Sequence, residues 1–241
     1  MSRFADSVRA TNLEIVDRHQ GIAPPVRPVH RPLPDVPEEL NALAHRLFLG
    51  RDDERPIRSV LVSGATEEED ASHVCGGTAI ALARQTTSTV CIVDADLRGS
   101  SLSHWLDVSA TRGLGDALVD DLKVTSCVTQ LRPNLWLLPP GERAHEALEG
   151  LSAIEARARL QELRATFDYV LVHSRDLGPQ TDAFALGPAA DGVLLVVDAT
   201  GTRRESARRM VDELRAARLT VLGAVLTNRG FPIPAPIYRR L

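Results

Sequence analysis

The sequence has few aromatic residues, few cysteines and no long apolar run. Its 241 residues include five Phe, two Trp, two Tyr and three Cys. The cysteines, Cys75, Cys91 and Cys127, are odd in number and widely spaced, which argues against a disulfide framework and does not match the spacing of a zinc site. We therefore interpret them as reduced thiols that pack in the core of a cytoplasmic protein.

Membrane-spanning, secreted and nucleic-acid-binding classes are also disfavoured. No stretch approaches the roughly 20 consecutive apolar residues that cross a bilayer. The N-terminal sequence MSRFADSVRA has no apolar core of signal-peptide length. A formal net charge of −4 gives no support to general nucleic-acid binding. These absences favour a cytoplasmic protein that binds no nucleic acid.

The distribution of proline divides the chain into three parts. Residues 1–37 form an N-terminal arm, and its segment 22–37 holds six of the fifteen prolines, so it can be neither a helix nor a central strand. We interpret this segment as a tether, with a proline-motif ligand as the alternative. Residues 38–229 form one α/β domain. Residues 230–241 form a proline-containing tail that either packs on its own domain or docks on a partner.

Short apolar runs alternate with helical periods from residue 57 onward. The predicted strands are 59–63, 89–94, 134–139, 168–173, 192–198 and 220–227, and the predicted helices are 37–50, 71–85, 143–166 and 202–217. Near-continuous Val, Leu and Ile in the strands suits a mostly parallel sheet that is covered on both faces. The alternation predicts a doubly wound α/β fold in which ligands bind at the carboxyl ends of the strands.

One predicted strand, TVCIVDADLRG (89–99), presents Asp94, Asp96 and Arg98 at the carboxyl edge of the sheet. This segment resembles the second Walker motif of bacterial tyrosine kinases, the cytoplasmic kinases of capsule and exopolysaccharide synthesis. The resemblance continues in register through GLGDAL, LWLLPPG, FDYVLVH and VLGAVLTNR. It implies the deviant-Walker, P-loop NTPase-like fold that these kinases share with MinD and ParA proteins. It also implies that the first aspartate, Asp94, helps to bind the metal and to activate the acceptor tyrosine.

The phosphate-binding loop of that family has lost its main features in this chain. The family's Gly-Glu-Gly-Lys-Ser-Thr aligns with Glu68, Glu69, Asp70, Ala71, Ser72 and His73. Glycines let backbone amides wrap the phosphates and the lysine neutralises the transferring group, so their loss removes both functions. The aspartate that ends the family's Walker B strand is replaced by His173. Each like-charge contact costs about 1 kcal/mol in water, so four consecutive acids offset much of the roughly −8 kcal/mol of micromolar binding.

Two further departures affect assembly and the phosphoacceptor. The family's oligomerising helix carries Glu-x-x-Arg-x-x-Arg, but neither arginine falls in place in EELNALAHR (38–46). The family phosphorylates its own tyrosine-rich tail, whereas this chain has only Tyr169, at the start of a predicted strand, and Tyr238. The resemblance and its departures therefore indicate a pseudokinase that binds no cofactor and is a monomer or dimer rather than a ring.

Several roles remain open for the aspartates at this edge. Asp94 and Asp96 either cap the end of the strand and pair with Arg98 or Arg175, or still hold a cation. If they hold a transition metal, His73 and His173 are the candidate additional ligands.

A third interpretation concerns an internal ionic network. Arg175 and protonated His173 would lie among the acids of residues 67–70 and Asp94, where they would replace the pairing of phosphate with lysine. The alternative is a solvated acidic loop without a partner.

Two features outside the loop are weaker indications of a nucleotide or phosphate site. Asn228 matches the family's adenine-side asparagine, although asparagine is also common where a strand ends. The arginines between residues 203 and 209 are interpreted as a solvated helix face rather than as a phosphate-binding patch.

The leading hypothesis is an inactive relative of tyrosine kinases that scaffolds or regulates exopolysaccharide synthesis and export, of the capsule or holdfast type. The resemblance implies as its partner the cytoplasmic tail of a membrane polysaccharide co-polymerase, with an active kinase paralogue as a further candidate, and hence a place at the inner membrane. One alternative is a weak tyrosine autokinase or ATPase that binds ATP and magnesium. It would use Asp94, Asp96 and Ser72, with Arg175 in place of the lysine, and Tyr238 would be its phosphoacceptor. A second alternative is a positioning protein of the MinD or ParA kind.

Overall fold

The structure, a computed structural model, describes residues 32–50, 56–65, 70–150, 152–176 and 186–228. Most of the N-terminal arm and the whole predicted C-terminal tail lie outside these residues. The strands are β1 (Ser59–Gly64), β2 (Val90–Asp94), β3 (Thr129–Arg132), β4 (Leu135–Leu138), β5 (Tyr169–Asp176), β6 (Gly192–Asp198) and β7 (Val221–Thr227). The α-helices are α1 (Glu38–Ala44), α2 (Ala71–Gln85), α3 (Ser101–Trp105), α4 (Leu114–Val119), α5 (Ala144–Gly150), α6 (Ala153–Thr166) and α7 (Arg204–Ala216).

The strands form one sheet in the order β3-β4-β2-β5-β1-β6-β7. All neighbouring strands are parallel except β3, which is antiparallel to β4. The predicted fold class and all six predicted strands are confirmed. The sequence analysis missed β3 because its residues are mostly polar and only Leu131 is buried. The strand is instead defined by its tight connection to β4 at the edge of the sheet.

The four predicted helices are present, with two differences. Helix α2 has the predicted bounds, but the predicted helix 143–166 is divided into α5 and α6. The division follows from a capping box in which the Ser152 Oγ accepts from the Glu155 amide at 3.2 Å and donates to the Glu155 carboxylate at 2.7 Å. The predicted helix 37–50 continues past α1 as one π-helical turn, His45–Leu49. Helices α3 and α4 were not predicted, because each is too short for its apolar residues to show a helical period.

The helices cover both faces of the sheet. Helices α1, α2 and α3 pack on one face, and α4, α5, α6 and α7 pack on the other. A Cβ atom at Gly76 would overlap Trp105 of α3, and one at Gly77 would overlap Leu40 of α1. These two glycines therefore let α1 and α3 lie directly on α2. The three cysteines are free and buried, as predicted, and burial raises the pKa of the Cys75 thiol.

Asp191 joins the amino ends of β1 and β6 to α6. One carboxylate oxygen accepts from the amides of Arg58 and Ser59, each at 2.8 Å, and the other accepts from Arg164 at 2.8 Å. Burial alone would raise the pKa of Asp191, but these donors outweigh it and lower the pKa below its usual value. Its stabilising contribution is therefore complete above about pH 4 and declines as the pH falls through the lower pKa of the folded state.

We expect Asp191→Ala to lower the free energy of unfolding by about 2–3 kcal/mol, because two backbone N–H groups and one guanidinium lose a charged acceptor. Urea unfolding followed by circular dichroism measures this value at pH 7. Asp212→Ala is a matched control, since Asp212 is 66% exposed in its pair with Arg215. Equal effects of the two substitutions would contradict the assignment.

Candidate functional site

Asp94 is the central polar residue at the carboxyl end of β2. Its side chain is fully buried. One oxygen, Oδ2, accepts from the Ser103 amide at 2.9 Å and from the Ser103 hydroxyl at 2.8 Å, at the start of α3. The other oxygen, Oδ1, lies 3.3 Å from Nδ1 of His173, which is itself buried in the neighbouring strand β5. Both oxygens of Asp94 therefore have partners within the protein.

His173 stands at the position where the resemblance implies an aspartate at the end of the strand, and an imidazole has a different chemistry there. Asp94 and His173 are directly opposite each other in the register of β2 and β5. Two carboxylates here would repel each other unless a cation lay between them. An imidazole instead donates through Nδ1 to the carboxylate, which when ionised can only accept. The pair thus supplies internally the positive or donor partner that a metal would otherwise provide.

Asp96 organises the turn that follows β2. Its carboxylate accepts from the amides of Arg98 at 3.3 Å and Gly99 at 3.0 Å, and from the Ser101 hydroxyl at 3.3 Å. The role of a strand-end cap agrees with this geometry. Within the part of the chain that the structure describes, neither aspartate forms an ion pair with Arg98 or Arg175. The Arg175 side chain is exposed.

The described part of the degenerate loop is the start of α2. Ala71 and Ser72 are buried, whereas the His73 side chain is half-exposed. His73 lies 3.2 Å from the carboxylate of Asp70 and stacks edge-on against Trp105, with ring centroids 5.0 Å apart. His73 therefore pairs with its own turn rather than joining the two aspartates.

Residues 66–69, which include Glu68 and Glu69, lie outside the described residues. Among the residues that the structure does describe, no three His, Cys, Asp or Glu side chains are grouped so that they could hold a metal ion.

Asn228 closes the end of the last two strands. Its side-chain amide donates to Asp198 at 2.8 Å, and Asp198 also accepts from the hydroxyl and amide of Thr200 and from the amide of Gly201. The Thr200 hydroxyl and the Asn228 amide are the main donors that hold the pKa of Asp198 far below its usual value. The side-chain amide of Asn228, for which the resemblance implies an adenine-side position, is thus bonded to a carboxylate of its own chain.

Two motifs that are far apart in the sequence meet beside this edge. The amides of Leu114 and Gly115, in GLGDAL, donate at 2.8 Å to the carbonyl oxygens of Pro139 and Pro140, in LWLLPPG. Gly141 has a φ of 83°, and a Cβ there would overlap the carboxylate of Asp116. The sequence analysis did not identify Ser103 or this contact, because no local pattern marks either one.

Comparison with known proteins shows what this chain is similar to. No protein-family model matches the chain. The succinoglycan biosynthesis transport protein ExoP of Rhizobium meliloti is 30% identical over 71% of this chain, but the match spans only 22% of ExoP. Tyrosine-protein kinase YwqD of Bacillus subtilis is 25% identical over 80% of this chain and 83% of its own length. Tyrosine-protein kinase CpsD of Streptococcus agalactiae is 24% identical over 90% of both chains.

Solved structures show the same fold. The kinase domain of the Escherichia coli tyrosine kinase ETK has a TM-score of 0.68 and 21% identity, with 82% of this chain and 78% of that domain covered. A plasmid partition protein from Borrelia burgdorferi has a TM-score of 0.57 and 15% identity, with 77% and 87% covered. At these identities the likeness concerns the fold alone. Within the described helices, none is long and apolar enough to cross a membrane.

Proposed function

Because the homologues of this chain are bacterial tyrosine-protein kinases, we propose that it is a member of their fold that no longer transfers phosphate. Its role is to scaffold or regulate exopolysaccharide synthesis and export. The partner is the cytoplasmic tail of a membrane polysaccharide co-polymerase, which also brings the protein to the inner membrane. An active kinase homologue is a further candidate partner.

The single observation that carries the inactive assignment is the environment of Asp94. A carboxylate that binds a catalytic cation needs at least one oxygen directed at the ion. Here Ser103 occupies one oxygen and His173 the other, and both partners are buried. A cation would have to displace a hydrogen bond inside the core, and His173 carries no carboxylate to share the charge.

The start of α2 supports the same conclusion. Phosphoryl transfer depends on a lysine that neutralises the β- and γ-phosphates and on a metal bridge between them. The position that aligns with the lysine is Ala71, whose methyl group is buried. Asp70 adds a negative charge immediately before the helix, where a phosphate would need a positive field.

The link to polysaccharide synthesis rests on the relatives. ExoP is a transport protein of succinoglycan biosynthesis, and the region similar to this chain is part of its longer polypeptide. A domain of this kind thus occurs physically joined to a polysaccharide transport protein. We infer that this chain makes the corresponding contact, with its partner in the same pathway.

Co-purification tests this proposal. The full chain is mixed with the tagged cytoplasmic tail of a polysaccharide co-polymerase from the same organism, with Mg·ATP in one sample and EDTA in the other. We expect the same complex in both samples, because binding does not depend on nucleotide. The cytoplasmic tail of an unrelated membrane protein is the negative control. No complex in either sample, or a complex only with Mg·ATP, would contradict the scaffold role.

The residual autokinase remains the alternative, since Asp94 and Asp96 are both retained. Incubation with Mg·ATP followed by mass spectrometry separates the two functions. We expect no phosphate on Tyr238, and Tyr238→Phe shows the background. Phosphotyrosine at this position that Asp94→Asn abolishes would establish the autokinase instead.

A further inference from the structure

The outer side of β7 is a free edge of the sheet within the described ranges. Strand β7 pairs with β6 on one side, and no described strand lies on the other. Along this edge Ala224 is exposed and Leu226 is 53% exposed, which is unusual for a leucine in a strand. Proteins normally cover or blunt such an edge, because its unpaired backbone groups recruit other strands.

The hydrogen bonds of β7 fix which residues face outward. The amide of Ala199 in the chain after β6 donates to the carbonyl oxygen of Thr227 at 3.0 Å, so the backbone of Thr227 faces β6. The register pairs Val225 with Val196. Val225 lies two residues before Thr227, so its backbone groups also face β6. Because successive residues direct their backbone groups to opposite sides, Ala224 and Leu226 direct theirs away from β6. A strand that completes the edge must bond to these two residues.

The sequence immediately after β7 has a matching alternation. Residues 229–241, RGFPIPAPIYRRL, lie outside the described residues, and their prolines at 232, 234 and 236 alternate with Phe231, Ile233, Ala235 and Ile237. Proline has no N–H group, so in a sheet it is confined to edge positions where its nitrogen faces away from the neighbouring strand. An extended segment with this pattern can donate from one side only, through its odd-numbered residues.

We propose that residues 231–237 fold back along β7 as an antiparallel edge strand whose prolines block further pairing. Asn228 has a left-handed φ of 53°, which suits a turn over residues 227–230 that ends in Gly230. This four-residue turn places Phe231 opposite Leu226 and Ile233 opposite Ala224. Residues directly opposite each other share a face, so Phe231 and Ile233 cover the exposed apolar residues of β7.

The same register suits the other face. Pro232 lies opposite Val225 and Pro234 opposite Gly223. A Cβ at Gly223 would meet nothing within 4 Å among the described residues, so there is room for a proline ring beside it. The alternating prolines, the exposed side chain of Leu226 and the absence of a side chain at Gly223 are therefore all consistent with the same register.

The proposed strand also determines where Tyr238 lies. Antiparallel pairing carries the tail toward the amino end of β7, whereas Asp94 and the start of α2 lie at the carboxyl edge of the sheet. Seven residues at roughly 3.3 Å each separate these ends by about 20 Å. The tail therefore holds its tyrosine away from the degenerate site. This inference rests on the geometry of β7 and does not depend on the proposed function.

Hydrogen exchange of the full chain, measured by mass spectrometry, tests the strand. We expect the outward amides of Ala224 and Leu226 to be protected, and Ile233→Pro to speed their exchange at least tenfold, because it removes an N–H that faces β7. Ile233→Ala keeps this N–H and controls for the lost side chain. Pro234→Ala alters only the outer side, and we expect it to leave the protection unchanged. Unchanged exchange in β2 confirms that each variant is folded.

Three results would overturn the proposal. The first is rapid exchange of the two outward amides in the unmodified chain. The second is an equal effect, or no effect, of Ile233→Pro and Pro234→Ala. The third is protection that disappears on dilution together with a change in oligomeric state, because this would show that a second copy of the chain occupies the edge.

Discussion

Calorimetric titration of the full chain with Mg·ATP is expected to give a Kd no tighter than about 1 mM. Micromolar binding corresponds to about −8 kcal/mol and millimolar binding to about −4 kcal/mol. The four consecutive acids of residues 67–70, at about 1 kcal/mol for each like-charge contact in water, account for a difference of this size. The absence of a lysine at Ala71 and the internal partners of Asp94 act in the same direction.

A variant separates the contributions of charge and of the missing lysine to the weak binding of Mg·ATP. Glu68→Gln, Glu69→Gln and Asp70→Asn together remove charge without restoring a phosphate ligand. We expect this triple variant to bind Mg·ATP up to about 100-fold more tightly than the unmodified chain, because three like-charge contacts of about 1 kcal/mol each are removed. Low-micromolar binding by the unmodified chain would contradict the inactive assignment, as would a crystal grown with nucleotide in which phosphates contact the backbone of residues 66–72.

The second large effect is expected for Asp94→Ala, which we expect to lower the free energy of unfolding by about 3–5 kcal/mol. The substitution leaves the Ser103 amide and hydroxyl and the His173 imidazole buried without their acceptor, and the removal of one partner from a buried pair costs this much. For a chain of this length the melting temperature falls by roughly 10 °C. Urea unfolding and differential scanning calorimetry measure the two quantities.

The sign of this effect separates a structural role from a catalytic one. An aspartate that is held ready for a metal ion is an uncompensated charge in the free enzyme, and its removal is neutral or stabilising. Asp212→Ala is the control, since Asp212 is exposed and pairs with exposed Arg215 at 3.8 Å, so a change within about 0.5 kcal/mol is expected. An equally small change for Asp94→Ala would indicate that the site still serves a cation.

Much of the fold was predictable from the sequence. Strand β6 and helix α2 have the predicted bounds, because a central parallel strand is apolar throughout and a long helix spans several periods. Strand β3 and helix α3 were missed because each is short and stabilised by contacts with distant residues. The break between α5 and α6 has a local signal in Ser152 and Glu155, so the capping box could have revealed it.

The candidate site was predictable in part. The sequence singles out three of its residues. Asp94 and Asp96 follow the pattern of the family that the chain resembles, and His173 departs from it. The bond from Ser103 to Asp94 joins residues that are nine positions apart across a turn, and the bond from His173 joins residues 79 positions apart. No local pattern reports such distances. His73 shows the opposite case, because the structure places it beside Asp70 and Trp105 rather than beside the aspartates.

The sequence by itself determined the doubly wound, mostly parallel α/β fold, because the spacing of apolar residues directly records strands and helices. Its resemblance to bacterial tyrosine kinases added the expectation that Glu68, Asp70 and Ala71 stand where that family has two glycines and a lysine. Only the tertiary structure decided that Asp94 is enclosed by Ser103 and His173, that Asn228 is bonded to Asp198, and that β7 leaves Leu226 exposed. Hydrogen bonding and burial depend on which distant segments the sheet brings together, and that is a property of the folded chain.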